Sequence, residues 1–177
     1  MRRLLVPVLA VVLPATLMAA QARKETVEGI RNFTRVDATV ACAGATSPEA
    51  IAGLAASGFK SIVNLRLASE PDAAIEESRA AADAVHIKYI HLPFDGSDPD
   101  VKVVDRFIMA VADPTNQPVF VHCGSANRAA ALWLAKRMLV DRWDQARAVE
   151  EAKMIGLTSE ALQKFALDYV AKRRGGG

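Results

Sequence analysis

Short apolar runs alternate along the chain with stretches of helical periodicity. After a lead-in from Arg23 to Val36, Thr39–Cys42 is expected to be a first short strand. Ser47-Pro48-Glu49 then predicts a helix start, with Ser as N-cap, Pro at the first helical position and Glu in the first turn. Gly58 marks the end of that helix. Ser61–Leu65 has the look of a buried strand, Asp72–Val85 of an Ala- and Glu-rich helix, and Tyr89–Leu92 of the next strand. A polar loop, Pro93 to Asp100, follows. Val101, Val104, Phe107, Ile108 and Val111 then recur at helical spacing and give one apolar face. Pro118–Val121 predicts another strand, and Ala129–Ala135 is apolar all round, as a helix buried on every side would be. Two helices finish the chain. One spans about Asp144 to Ile155 and is stopped by Gly156. The other starts after Thr158 and presents Leu162, Phe165, Ala166 and Tyr169 on one stripe.

Strands alternating with helices imply βαβ units, so the expected fold is α/β, with a mainly parallel central sheet of about four to five strands flanked by helices. In such sheets the site lies beyond the carboxyl ends of the strands. The loops after Leu65, Leu92 and Val121 should therefore meet at one rim.

Composition sharpens this picture. A chain of 177 residues, 51 % apolar and 24 % charged, suits one globular domain and excludes whole-chain disorder. Two cysteines exclude a disulfide scaffold and a four-cysteine zinc site. The start of the chain reads as an export signal: basic Arg2 and Arg3, an uncharged run from Leu4 to Ala22, and small residues at Ala20-Gln21-Ala22 for cleavage. The expected organisation is a signal peptide over 1–22, one domain over 23–174 and a flexible tail over 175–177. Pro7 and Pro14 favour cleavage over a retained membrane anchor. Without Arg2 and Arg3, basic and acidic residues balance, so no electrostatic case for nucleic acid or an anionic membrane survives. The expected location is the bacterial periplasm or outside the cell, membrane-anchored if the signal is retained, and the compartment is oxidising.

The loop after Val121 carries the chemistry: His122, Cys123, Gly124, Ser125, Ala126, Asn127 and Arg128, then the buried helix. A strand–loop–helix junction of this form aims loop amides and the positive end of a helix dipole at one spot, which should bind an anion. Dipole, amides and Arg128 all favour a thiolate at Cys123. Arg128 can chelate two oxygens of a tetrahedral oxyanion, which a lysine cannot. A thiolate at an oxyanion site suits attack on phosphorus or sulfur.

His122-Cys123 with Arg128 closing the loop resembles the cysteine-dependent protein tyrosine phosphatases, especially their compact dual-specificity type. Within that superfamily the chain is similar to a bacterial branch typified by the phosphatase-like domain of beta-lactamase-hydrolase-like proteins. The resemblance runs from about Phe33 to Ala171. Ile62-Val63-Asn64-Leu65-Arg66 looks like the family's strand before its second helix, and Pro93-Phe94-Asp95 like its general-acid loop. The resemblance implies that Cys123 is a nucleophile forming a phosphocysteine, and that Arg128 and the amides of Gly124, Ser125, Ala126 and Asn127 hold the phosphoryl oxygens. It implies that Asp95 is the general acid, with Asp98 the alternative, and that His122 supports the thiolate from behind through hydrogen bonds. No metal or organic cofactor is implied, and the expected partner is a phosphorylated protein or a small phosphate ester. Related phosphatases that guard the nucleophile with a disulfide direct attention to Cys42, although a buried cysteine that never meets Cys123 is the favoured reading. The sequence departs from the family twice. Four residues rather than five separate Cys123 from Arg128, and Ala129 stands where a Ser or Thr usually helps the leaving thiolate. Asn127 is a candidate for the left-handed backbone that the family often gives to Gly.

A four-residue loop also occurs in rhodanese-like sulfurtransferases, which would carry a persulfide on Cys123. No rhodanese-like Asp-Val-Arg strand start or Gly-His-Ile segment accompanies it here. A catalytically weak phosphate-binding module is the third reading. Elsewhere the plain structural readings are favoured. His86 and His91 lack partners at metal-ligand spacing, and Trp133 is core. Glu150, Glu151 and Lys153 form a solvated helix face, and for Arg66 a structural pairing with Glu70 is favoured over contact with substrate at the rim.

Overall fold

The computed structural model describes residues 22–176. The expected signal peptide, apart from Ala22, lies outside these residues, as does Gly177 of the expected tail. Six strands form one sheet in the order β1-β2-β3-β6-β4-β5. They are β1 (Arg23–Lys24), β2 (Thr34–Arg35), β3 (Val40–Ala43), β4 (Ser61–Asn64), β5 (Lys88–His91) and β6 (Val119–His122). β3, β6, β4 and β5 run parallel, while β1 and β2 add an antiparallel edge. The sheet is thus mixed and mostly parallel. Its two extra strands are two-residue pairings inside the lead-in, too short to leave a periodic trace in sequence. β3, β4 and β6 are buried at every position, as parallel strands covered on both faces must be.

The helices are α1 (Ile51–Ala56), α2 (Ile75–Ala84), α3 (Val101–Ala112), α4 (Asn127–Leu139), α5 (Gln145–Ile155) and α6 (Glu160–Gly175). None of them is long and apolar enough to cross a membrane. α1 and α2 pack on one sheet face around Phe33, Phe59 and Phe120, whose rings lie 5.8–6.4 Å apart. The other four helices bury the larger core. The alternation along β6 divides its side chains between these cores, with Val119, Val121 and Cys123 in the larger and Phe120 in the smaller. α4 is the centre of the larger core. Every residue from Ala129 to Ala135 is buried, and the alanines let its backbone lie close to the sheet and to α5 and α6.

Several elements depart from the sequence pattern for local reasons. α2 begins at Ile75 rather than Asp72, because Ala74 adopts a left-handed backbone with φ 44°. The guanidinium of Arg66 holds the preceding turn by donating to the carbonyls of Pro71 and Asp72. In α3, Val103 turns inward and Val101 is 45 % exposed, since Asp100 caps the helix and Val101 is its first residue. α6 ends at Gly175, the first residue of the expected tail. Glu151 is not part of a solvated face: it is 7 % exposed. It accepts from the Trp133 indole at 2.8 Å and from Arg137 Nε at 2.7 Å. Those two buried donors would otherwise go unpaired at a cost of about 1–3 kcal/mol each.

Candidate active site

In register, Asn64 pairs with both His91 and His122, and Ala43 with His122. The carboxyl ends of four parallel strands are therefore level, and the loops after Leu65, Leu92 and Val121 meet at one rim as the pattern requires. Backbone bonds tie them there: Leu65 N to His122 O at 2.9 Å, Leu92 N to Asn64 O at 2.9 Å and Phe94 N to Leu65 O at 3.1 Å.

Cys123 is fully buried at the end of β6, where it enters the loop. The carbonyls of Gly124 and Ser125 turn away from the loop's concave side and accept from Ala45 N at 3.0 Å and Asn32 Nδ2 at 3.2 Å. The amides of Gly124, Ser125, Ala126, Asn127 and Arg128 make no hydrogen bond to any described residue. They form a cluster of free donors between a cysteine and an arginine, at the start of a thirteen-residue helix. The left-handed position of the loop is Ala126, with φ 81°, and not Asn127. Asn127 has a different task. Its Oδ1 accepts from the amides of Thr158 at 2.7 Å and Ser159 at 2.9 Å, which fastens the α5–α6 turn to the loop. Gly156 completes that contact, because a Cβ there would stand 3.1 Å from the Cβ of Ala126.

Arg128 spends one edge of its guanidinium on Glu70, at 2.6 Å to Oε1 and 2.8 Å to Oε2. The carbonyls of Phe94 and Leu65 take further bonds from the same terminal nitrogen. The Nε edge makes no hydrogen bond among the described residues, and its geometry suits a bidentate contact with an oxyanion. Glu70 also accepts from Arg66 Nε and from Leu67 N. Burial acts to raise its pKa, but bonds from Arg128, Leu67 and Arg66 prevail and lower it to about 2. Sequence spacing paired Glu70 with Arg66, and that pair exists. The bidentate grip on Arg128, remote in sequence, is the more consequential contact, and only the meeting of two rim loops makes it.

Asp95 lies at the rim with Phe94 buried beneath it. Its carboxylate accepts from Ser97 N at 2.8 Å and Ser97 Oγ at 2.6 Å, and these bonds lower its pKa. A Cβ at Gly96 would stand 3.7 Å from Arg128 Cγ, so this loop rests directly on the arginine. Asp98 caps nothing. Asp100 alone caps α3, accepting from Lys102 N at 2.8 Å. His122 is buried on the opposite face of the sheet and stacks on Phe120 at 5.7 Å. Its Nδ1 has no hydrogen-bond partner among the described residues, so the expected bonds toward the thiolate are not formed there. Burial first, then Arg66 and Arg128, lower its pKa to about 3. Cys42 and Cys123 share one sheet face and both are free thiols. Cys42 pairs in register with Val121, which leaves the two cysteines diagonal neighbours, and burial raises the Cys42 pKa well above its usual value. His91 Nε2 lies 2.8 Å from the Arg66 carbonyl, a structural contact. No cluster of metal-ligating side chains occurs among the described residues.

The fold has counterparts among solved structures. The core catalytic domain of the PP-IP phosphatase Siw14 from S. cerevisiae, solved with citrate, superposes with a TM-score of 0.67 at 19 % identity, covering 85 % of this chain and 95 % of that one. TpbA of P. aeruginosa gives 0.63 at 23 % identity, covering 84 % and 88 %, and has also been solved with phosphotyrosine. A DUF442 protein of Shewanella putrefaciens gives 0.69 at 21 % identity, covering 84 % and 98 %. No curated protein matches the sequence. A family model described as a DSP-PTPase phosphatase fused to NAD+ kinase matches residues 15–168. With that match spanning most of its length, the chain belongs to the DSP-PTPase family of cysteine-dependent phosphatases.

Proposed function

We propose that the chain hydrolyses phosphate monoesters, phosphotyrosine or similar, through a phosphocysteine at Cys123. The observation that carries this reading is the row of unpaired amides from Gly124 to Arg128, between a buried cysteine and an arginine whose fork Glu70 fixes. The amides and the Nε edge of Arg128 take the three non-bridging phosphoryl oxygens, where charge builds in the transition state. The Cys123 thiolate attacks phosphorus. The S–P bond forms, the P–O bond to the leaving group breaks, and Asp95 gives its proton to the departing oxygen. Water then attacks phosphorus and returns a proton to Asp95, and the S–P bond breaks to release phosphate and thiolate. Asp95 is favoured over Asp98 because its loop rests on Arg128 through Phe94 and Gly96. In this arrangement Ser97 holds Asp95 ionised, so acid catalysis requires the carboxylate to leave Ser97 and swing over the bound ester. Ala129, in place of a hydroxyl donor for the thiolate, slows the second step.

Turnover of an aryl phosphate tests the reading. Cys123→Ser is expected to abolish it, and Arg128→Lys to lower it by about 10²–10³-fold through loss of the bidentate grip. Wild-type protein that leaves aryl phosphate intact but transfers sulfur from thiosulfate to cyanide would overturn it.

The uncharged run up to Ala22 is read as an export signal, which would place the enzyme in the periplasm. Mass measurement of the protein isolated from a bacterial host checks this, with a mature start next to Ala22 as the expected result.

A further inference from the structure

A cleft of about 440 Å³ opens beside the Cys123–Arg128 loop, with Gly124 in its wall. Arg31, Ser47, Arg66 and Asp72 line it with Gly124. Its two cations differ in what they have left to give. Arg66 is buried, and each of its three guanidinium nitrogens is already engaged, on Glu70, Asp72 and Pro71, so its plane is fixed and it has at most one further N–H on each terminal nitrogen. Arg31 is exposed, and its guanidinium makes no ion pair or hydrogen bond among the described residues. Its backbone, by contrast, is fixed. Arg31 N donates to Ala45 O at 2.8 Å, and its carbonyl accepts from Gly44 N at 2.7 Å. Ala45 N in turn donates to Gly124 O at 3.0 Å. Gly44 permits this stacking, since a Cβ there would stand 3.2 Å from both the Arg31 and the Gly124 carbonyl oxygens. The segment carrying Arg31 is therefore laced to the backbone of Gly124, and the cleft runs from Gly124, the first residue of the loop after Cys123, to an uncommitted guanidinium. The one acidic residue in its lining is Asp72, which is exposed.

We infer that Arg31 is a specificity-determining residue that receives a second anionic group of the substrate, so that the preferred substrate is a compact phosphomonoester bearing another phosphate or carboxylate. This rests on the Cys123–Arg128 loop as the site of the ester phosphate. A cleft of this volume suits a small molecule, and a fork-shaped cation is the group that selects a second oxyanion. A charged hydrogen bond of this kind is worth about tenfold or more in affinity.

The test is competition against aryl phosphate turnover by alkanediol bisphosphates of increasing chain length, each compared with its own monophosphate. In the wild-type protein at least one bisphosphate should inhibit about tenfold more tightly than its monophosphate, beyond the about twofold that two equivalent ends give by chance. Arg31→Ala and Arg31→Gln should each bring that ratio down to the chance value, while Arg31→Lys keeps part of it. A second series in which a carboxylate replaces the distal phosphate reports which oxyanion the cleft prefers. A ratio near twofold for every chain length in the wild-type protein overturns the inference, as does a high ratio that survives Arg31→Ala and Arg31→Gln. Either result is distinct from failure of the phosphatase reading, which would show as no aryl phosphate turnover in the wild-type protein.

Discussion

Ala126 holds a left-handed backbone with φ 81°, which costs a residue with a Cβ about 1–2 kcal/mol. The loop tolerates it because Gly156 leaves room for the methyl group. Ala126→Gly is therefore expected to raise stability by up to about 1 kcal/mol, part of the gain being returned to the freer unfolded chain. Gly156→Ala should cost about 1–3 kcal/mol, from its own positive φ and from the clash with Ala126. In the double variant the clash is gone, so the two changes should not add. Urea unfolding of the four proteins checks this; simple additivity would mean that the methyl contact carries no energy. At this scale the sequence made Cys123, Arg128 and the rim position of Asp95 legible, because junction chemistry is local. It misplaced the left-handed residue at Asn127, since the clamp from Asn127 to Thr158 and Ser159 joins positions far apart in sequence. It left Glu70 with Arg66 alone for the same reason.

Among the elements, the loop between β5 and α3 is the one to which the proposed reaction assigns proton transfer. Ser97 donates twice to Asp95 and stabilises its ionised form. Asp95→Asn is expected to lower turnover of esters with poor leaving groups by about 10²–10⁴-fold, and less for very acidic leaving groups. Ser97→Ala removes a donor to the carboxylate and raises the Asp95 pKa. The protonated acid then persists to higher pH, and the basic limb of kcat/KM should move upward. A pH profile whose basic limb stays in place in Ser97→Ala, or an Asp98→Asn variant that loses turnover while Asp95→Asn retains it, would reverse the assignment. The long elements were legible in sequence because each carries a sustained period: α3, α4, α5 and α6 all lie where their apolar spacing put them. The start of α2 was not, because Arg66 reaches across the turn and holds Pro71 and Asp72 in a non-helical path. β1 and β2 were missed because two-residue pairings depend on partners and not on pattern.

Over the whole molecule, acid is the expected weakness. His122 is buried and neutral, with a pKa lowered from 6.5 to about 3. Between those values the unfolded chain binds a proton that the folded chain does not, so stability rises with pH across the window. It is fully present above about pH 6.5 and is lost as pH falls toward 3, by at most about 1.4 kcal/mol per pH unit. Glu70, lowered from 4.5 to about 2, adds a further loss below about pH 4.5. Urea midpoints should therefore fall between about pH 7 and pH 5 in the wild-type protein, and fall less in His122→Asn. Equal slopes in the two proteins would remove His122 from the account. The same buried interior gives the loop its rigid backing: α4 behind it is anchored by Arg137, which reaches Glu151, Asp141 and Asp37.

The proposed reaction stands or falls on a covalent phosphocysteine at Cys123, which can be trapped during turnover. Wild-type protein turning over an aryl phosphate is quenched in neutral denaturant, digested and weighed peptide by peptide. One phosphoryl group is expected on the peptide containing Cys123, accumulated because Ala129 slows its breakdown, absent in Cys123→Ser and discharged when substrate is exhausted. Steady turnover with the phosphoryl group on another residue, or with turnover undiminished in Cys123→Ser, would contradict it.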